Sequence, residues 1–194
     1  LSSGEEYIGN KDVWLKGFGS WANQGTVDNV SGYKINTGGL AIGIDKALSP
    51  SSNLGGVFAF SNSSLNSNNS AAASTLNINS YQVGVYGDTF VRSDLQVNYQ
   101  ADAGLNSNKE TRNLSSFTGV SGVAANSTSG VSANANYNSL SAHLGAGLKK
   151  FVSLSENTSF IPTLRADYTS VQSQGYTESG AGSLNLKVNS QTYN

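Results

Sequence analysis

Cysteine is absent from this 194-residue chain, and with it go disulfides, thiolate metal sites and cysteine nucleophiles. Charge is scarce as well: Asp, Glu, Lys and Arg make up 12% of the residues, with 11 basic against 12 acidic side chains and a net charge of -1. No basic surface is available to draw a phosphate backbone, so nucleic acid is excluded as a partner. No stretch approaches the roughly eighteen consecutive apolar residues that a spanning helix needs, which excludes a helical membrane protein. Nor does the chain open on a basic segment, an apolar stretch and a small-residue cleavage site, so a secretory signal is expected to have been removed or to lie upstream of Leu1. Carboxylates are scattered, without calcium-loop or two-histidine spacing, and neither a metal nor a cofactor is expected.

What the chain does have is alternation. Leu95, Val97, Tyr99, Ala101, Ala103 and Leu105 are apolar, while Gln96, Asn98, Gln100, Asp102, Gly104 and Asn106 between them are polar or small. A period of two puts one face in an apolar medium and the other in water, and the run is long enough for a tilted strand to cross a bilayer. A mean hydropathy of -0.28 and a hydrophobic fraction of 37% fit the same picture, because only every second strand residue of a membrane barrel must be apolar. The chain predicts an all-β, antiparallel, up-and-down transmembrane β-barrel domain over residues 13–194, after a polar lead over residues 1–12.

About eight strands are expected. The first holds Val13, Trp14, Leu15, Phe18 and Trp21; the second sets Leu40, Ile42 and Ile44 against Gly39, Ala41, Gly43 and Asp45; the third sets Phe58 and Phe60 against Val57 and Ala59. Tyr81, Val83 and Val85 mark the fourth, the run from Leu95 the fifth, Leu140 to Leu148 the sixth, Leu164, Ala166 and Tyr168 the seventh, and Leu184, Leu186 and Val188 the eighth. Pro162 suits only a strand start. Connections alternate between long and short, with short turns near Ser49, Val91 and Ser155, and long polar stretches at Asn62 to Ser74, Lys109 to Gly130 and Gly175 to Gly182. Short periplasmic turns and long outer loops have this asymmetry, which makes Lys109 to Gly130 a mobile outer loop in which Arg112 is open to protease.

Trp14, Trp21, Phe58, Phe60, Tyr81, Tyr99, Phe151 and Tyr168 are expected near strand ends or on the lipid face, as interfacial girdles. Gly39, Ala41, Gly43, Gly55, Ala59, Gly84, Gly104, Gly145 and Gly147 fall on the opposite face, and their small size suits a pore wider than a side-chain-filled barrel. Asp45, Asp88, Asp102, Arg165 and Asp167 share that lumen face and are the candidates for contacting a segment held in the pore. Ser141 and His143 lie on one strand face and could pair a nucleophile with a base, but neither an oxyanion hole nor an orienting acid accompanies them, and an enzyme is not expected.

In order and spacing, Trp14-Leu15-Lys16-Gly17-Phe18-Gly19, Thr37-Gly38-Gly39-Leu40-Ala41-Ile42-Gly43-Ile44-Asp45, Tyr81-Gln82-Val83-Gly84-Val85-Tyr86-Gly87 and Gly175-Tyr176-Thr177-Glu178-Ser179-Gly180-Ala181 resemble the β-domain of autotransporters, the type V secretion proteins. The resemblance implies a Gram-negative outer-membrane translocator pore that anchors and helps export an N-terminal passenger. Its partners would be the outer-membrane bilayer, its own passenger and linker, and the barrel-assembly machinery; residues 1–12 would be the end of the linker or a periplasmic lead. It also implies about twelve strands and a terminal aromatic residue, whereas this chain ends Lys187-Val188-Asn189-Ser190-Gln191-Thr192-Tyr193-Asn194, so the C-terminal strands are expected to be missing. The alternative is a small or passive outer-membrane barrel, a porin or adhesin with no part in secretion.

Overall fold

A computed structural model describes residues 5–8, 11–28, 31–67, 72–114 and 130–194. Nine strands form one antiparallel sheet in the order β1 (Glu5–Ile8), β2 (Lys11–Gln24), β3 (Tyr33–Ser49), β4 (Ser52–Ser67), β5 (Ala72–Arg92), β6 (Leu95–Leu114), β7 (Val131–Lys150), β10 (Thr163–Ser173) and β13 (Gln191–Tyr193). The sheet is open between β1 and β13. Two small hairpins stand apart from it, β8 (Val152–Ser155) with β9 (Thr158–Phe160), and β11 (Tyr176–Thr177) with β12 (Lys187–Val188). Every connection joins neighbours, as an up-and-down meander requires, and Pro162 stands just before β10, where its missing N–H breaks no ladder.

Register turns the alternation into faces. Ile44, Gly56, Val85, Ala101, Leu144 and Tyr168 stand side by side across β3 to β10, flanked by the rows of Ile42, Phe58, Val83, Ala103 and Ala142 on one side and of Tyr99, Ala146 and Ala166 on the other. Five such rows, from Val97 and Leu148 up to Leu105 and Leu140, make a continuous apolar band on one side of the sheet. The band ends abruptly. The next row is Gly38, Asn62, Asn79, Ser107 and Asn138, and the one beyond it Asn36, Ser64, Asn77, Lys109 and Asn136.

No second layer covers the band. Among the described residues the buried hydrophobic side chains are Leu114, Ala133, Ala135 and Ala181, while Val83, Leu140, Leu144 and Leu164 are exposed by 59%, 56%, 58% and 71%. A water-soluble chain of this size would bury a core, and soluble monomers rarely show an apolar surface so extended. A single-layer sheet with one greasy side finds its second layer in hydrocarbon.

Two connections are shorter than the sequence suggests. Asn62–Ser67 and Ala72–Ser74 belong to β4 and β5, and Lys109–Leu114 belongs to β6, where it pairs with β7 as far as Leu114 opposite Val131. Polar side chains bond across the strands there: Asn62 Nδ2 donates to Asn79 Oδ1 at 2.9 Å, Thr75 Oγ1 to Asn66 Oδ1 at 3.1 Å, and Thr111 Oγ1 to Asn134 Oδ1 at 3.0 Å. These cross-strand pairs hold as strand what composition marks as loop. The remainder of the expected loop, residues 115–129, lies outside the described residues. Leu184 to Val188 is not a stave of the large sheet either: Gly182–Leu184 forms a 3-10 turn, β12 folds back on β11, and β13 takes the place beside β10. The polar lead is partly strand, since β1 pairs with the start of β2.

Candidate functional site

The polar face opposite the apolar band is built on glycine seats. Trp14 lies opposite Gly43 and Phe18 opposite Gly39, and a methyl group added at these glycines would meet the rings at 2.3 and 2.5 Å. Gly55 is covered in the same way by Tyr86 and Asp45, Gly84 by Asp102, Gly145 by Arg165 and Asp167, and Gly147 by Asn98. A residue without a Cβ lets its cross-strand neighbour lie flat on the sheet. The small residues expected to leave an open wall are therefore covered by large side chains, and the wall stays thin because those side chains lie along it. Trp14, expected in a lipid-facing girdle, is on this face: its pairing with Gly43 sets its parity, which the consecutive apolar residues Val13, Trp14 and Leu15 leave ambiguous.

All five candidate residues, Asp45, Asp88, Asp102, Arg165 and Asp167, are on this face, in three groups. At the short-turn end, Trp14 Nε1 donates to Tyr86 Oη at 2.7 Å, and the Tyr86 hydroxyl in turn donates to Asp45. Asp88 accepts from Gln96 Nε2 at 2.8 Å. The third group joins Asp102, Asp167 and Arg165 through a residue not among the five. His143 stands between the two carboxylates, with Nδ1 2.8 Å from Asp102 Oδ2 and Nε2 2.9 Å from Asp167 Oδ1. Gln100 Nε2 also donates to Asp102 at 2.8 Å, and Arg165 closes on Asp167 at 2.7 Å while reaching Asn98 at 3.3 Å. Only a protonated imidazole donates to both carboxylates at once. With both ring nitrogens facing carboxylates, His143 has none to offer Ser141, and a serine–base pair does not form.

At the far end of the same face the chain doubles back over the wall. Past Ser173 it follows the free edge of β7, with Gln174 N donating to Asn138 O and the backbones of Ser179 and Asn134 exchanging bonds. Gly180 and Gly182, at φ 99 and 58, then turn the tip in a way few other residues tolerate. Ala181, 1% exposed, packs into a cluster with Ala133 and Leu114 of the polar face. Glu178, 5% exposed, takes a bidentate pair of bonds from Arg112, whose Nη2 also donates to Leu184 O at 3.0 Å, and accepts from the Leu186 amide at 2.7 Å. The guanidinium holds the Glu178 carboxyl below its ordinary 4.5. Tyr176 stacks on Tyr137 with ring centroids 4.2 Å apart and donates to Glu110 at 3.0 Å. Arg112 is thus an anchored strand residue and not an exposed loop residue.

A one-layer sheet with a greasy side, a polar side carrying fixed charges and a folded-back tip is the wall of a membrane barrel. Residues 13–194 match the family described as the autotransporter beta-domain. The chain belongs to that family. The autotransporter β-domain superposes on the translocator domain of autotransporter NalP from Neisseria meningitidis with a TM-score of 0.64, at 16% identity, over 94% of this chain and 56% of that one. At that identity the likeness is one of fold. Over 76 residues, 39% of its length, the β-domain is 33% identical to an extracellular serine protease of Serratia marcescens, of which it covers 7%. It therefore spans about half the length of the NalP domain and a small fraction of the protease.

In this β-domain, residues outside the five charged candidates hold them in place: Trp14 and Tyr86 reach Asp45, Gln100 reaches Asp102, and His143 joins Asp102 to Asp167. The signal for His143 is present: it shares the parity of Asp102, and the β6–β7 register puts the two side by side. For Arg112 and Glu178, separated by 66 positions and on different elements, sequence spacing offers no such signal.

Proposed function

We propose that this β-domain is a translocator: a pore in the outer membrane of a Gram-negative bacterium that anchors and helps export an N-terminal passenger, with no chemistry of its own. The observation that carries the proposal is the division of the sheet into an uncovered apolar band on one side and a polar, glycine-seated wall on the other. Lipid takes the first side. The second becomes the lumen, with short turns in the periplasm and the long-strand end outside. Asp12, Asp45, Asp88, Asp102 and Asp167 outnumber Lys16, Lys149, Arg165 and the protonated His143 by one on the lumen face below the strap, a balance that favours a passenger linker with basic side chains. Asp45, Asp88, Asp102, Arg165 and Asp167 are its contacts, residues 1–12 supply its end or a periplasmic lead, and residues 13–194 form the barrel wall. Insertion would use the barrel-assembly machinery.

The test is made in the parent protein. A photocrosslinking residue is placed at Gln100 or Thr169, beside the charged group, and the passenger's surface exposure is followed by protease shaving of intact cells. Crosslinks to the segment preceding residue 13, together with loss of exposure when residues 13–194 are replaced by an unrelated anchor lacking a pore, support the translocator. A passenger that reaches the surface without this domain refutes it and leaves the passive barrel.

A further inference from the structure

The structure assigns a role to the folded-back segment Tyr176–Val188: we propose that it is a fixed constriction, a strap laid against the inner wall that narrows the outer mouth of the pore. The inference rests on the pore reading above. Three observations carry it. The strap is fastened by the backbone of Ser179 to Asn134 on the edge of β7, just after Gln174 bonds to Asn138 on the same edge, so it is a continuation of the wall. Its tip bends to the lumen side, where Ala181 seats on Ala133 and Leu114 and Tyr176 stacks on Tyr137, so it occupies space inside the mouth. Its carboxylate is buried and held by a guanidinium that also binds the carbonyl of Leu184 and so ties both halves of the strap to β6.

An outer loop that only met solvent would need none of this. Burying a charge pair is costly and is repaid only when the remaining bonds are also made. Here they are: Glu178 accepts from Arg112 and from the Leu186 amide. Ala133 leaves room for the tip, and Asn185 Oδ1 caps the Ala181 amide at 2.9 Å, closing the turn on itself. The strap is built to stay in place, and an exported segment passes beside it.

The experiment uses the intact protein in outer membranes of a host without large porins, and the same protein in planar bilayers. Arg112→Ala with Glu178→Ala removes both charges together and leaves neither one unpaired. A Cys pair, Ala133→Cys with Ala181→Cys, locks the strap under oxidant in a chain with no other cysteine. Expected are a several-fold rise in single-channel conductance and in entry of a large glycopeptide antibiotic for the loosened variant. The oxidised Cys pair should keep the wild-type conductance and wild-type passenger display. The constriction is overturned if the loosened variant, folded as judged by heat-modifiable migration, conducts like the wild type. It is also overturned if locking the strap blocks export until reductant is added, which would make it a moving gate. Should the loosened variant fail to fold, Ala181→Arg, which cannot fit the seat on Ala133, serves in its place with the same readout. A wild-type protein that displays no passenger sinks the translocator reading, and the conductance comparison still decides the strap.

Discussion

Ala101 sits in the middle one of the five apolar rows, between Val85 and Leu144, two rows from Val97 at one margin and two from Leu105 at the other. At about 3.3 Å per residue and a tilt of about 40°, each margin is roughly 10 Å away along the membrane normal. That is beyond easy reach for a charged side chain seeking water, so Ala101→Arg should cost about 2 to 4 kcal/mol, which is roughly a 30- to 700-fold loss in the folding equilibrium constant. Gln100→Arg, one residue away, points the other way, beside the carboxylate of Asp102, and should fold as the wild type does. Asn98→Arg is a poorer control, because Asn98 is already within 3.3 Å of the Arg165 guanidinium. The assay is urea-dependent folding into lipid vesicles, read by heat-modifiable migration. Ala101→Leu completes the set: lipid accepts a larger apolar group, whereas a packed protein layer would lose about 1 to 3 kcal/mol. If Ala101→Leu costs as much as Ala101→Arg, a protein layer covers this face and the lipid assignment is wrong.

Gly43→Ala should destabilise by about 1 to 3 kcal/mol through collision with Trp14, Gly38→Ala, with nothing within 4 Å, should be close to neutral, and Trp14→Ala should rescue the first; urea midpoints in vesicles check all three. Because its folded pKa is depressed, Glu178 contributes stability that is fully present above the ordinary value of 4.5 and is lost as pH falls through the lower, folded one. Hydrogen exchange of the Leu186 amide, corrected for intrinsic rate, should therefore stay slow at pH 5 and quicken only in stronger acid, and Glu178→Gln should remove the pH dependence. Asp102→Asn and Asp167→Asn should lower the cation preference of the pore, seen as a shift in reversal potential under a salt gradient. With Asp167 41% exposed, its loss should leave the stability nearly unchanged. On intact cells, trypsin should spare Arg112, whose backbone is paired to Ser74 and Ala133.

The faces of β3 to β7 were legible because hydrophobic alternation depends on each strand alone: Ile42, Val83, Ala101 and Leu144 announce their side without knowledge of their neighbours. The shared polar face of Asp45, Asp88, Asp102, Arg165 and Asp167 follows from the same parity. What could not be read depends on pairing. Asn62 and Thr111 look like loop residues because they stand in stretches rich in Asn, Ser and Gly, and it takes Asn79 and Asn134 on other strands to keep them extended. Leu184, Leu186 and Val188 carry a strand-like period of two, but the left-handed glycines at 180 and 182 redirect them into a hairpin of their own. His143 was seen beside Ser141 on its own strand, whereas its real partners lie on β6 and β10.

The strands do not stop where the grease does. From Leu105 to Asn113, β6 runs on for about 27 Å beyond the last apolar row, or roughly 20 Å of height at a tilt of about 40°, still paired to β5 and β7 throughout. With this end outside, as proposed, the wall stands as a rigid chimney above the bilayer, braced on the continuation of its apolar side by amides and hydroxyls. In the proposed translocator, an exported passenger would first meet open water well clear of the lipid headgroups and would begin to fold away from the crowded, charged skin of the cell.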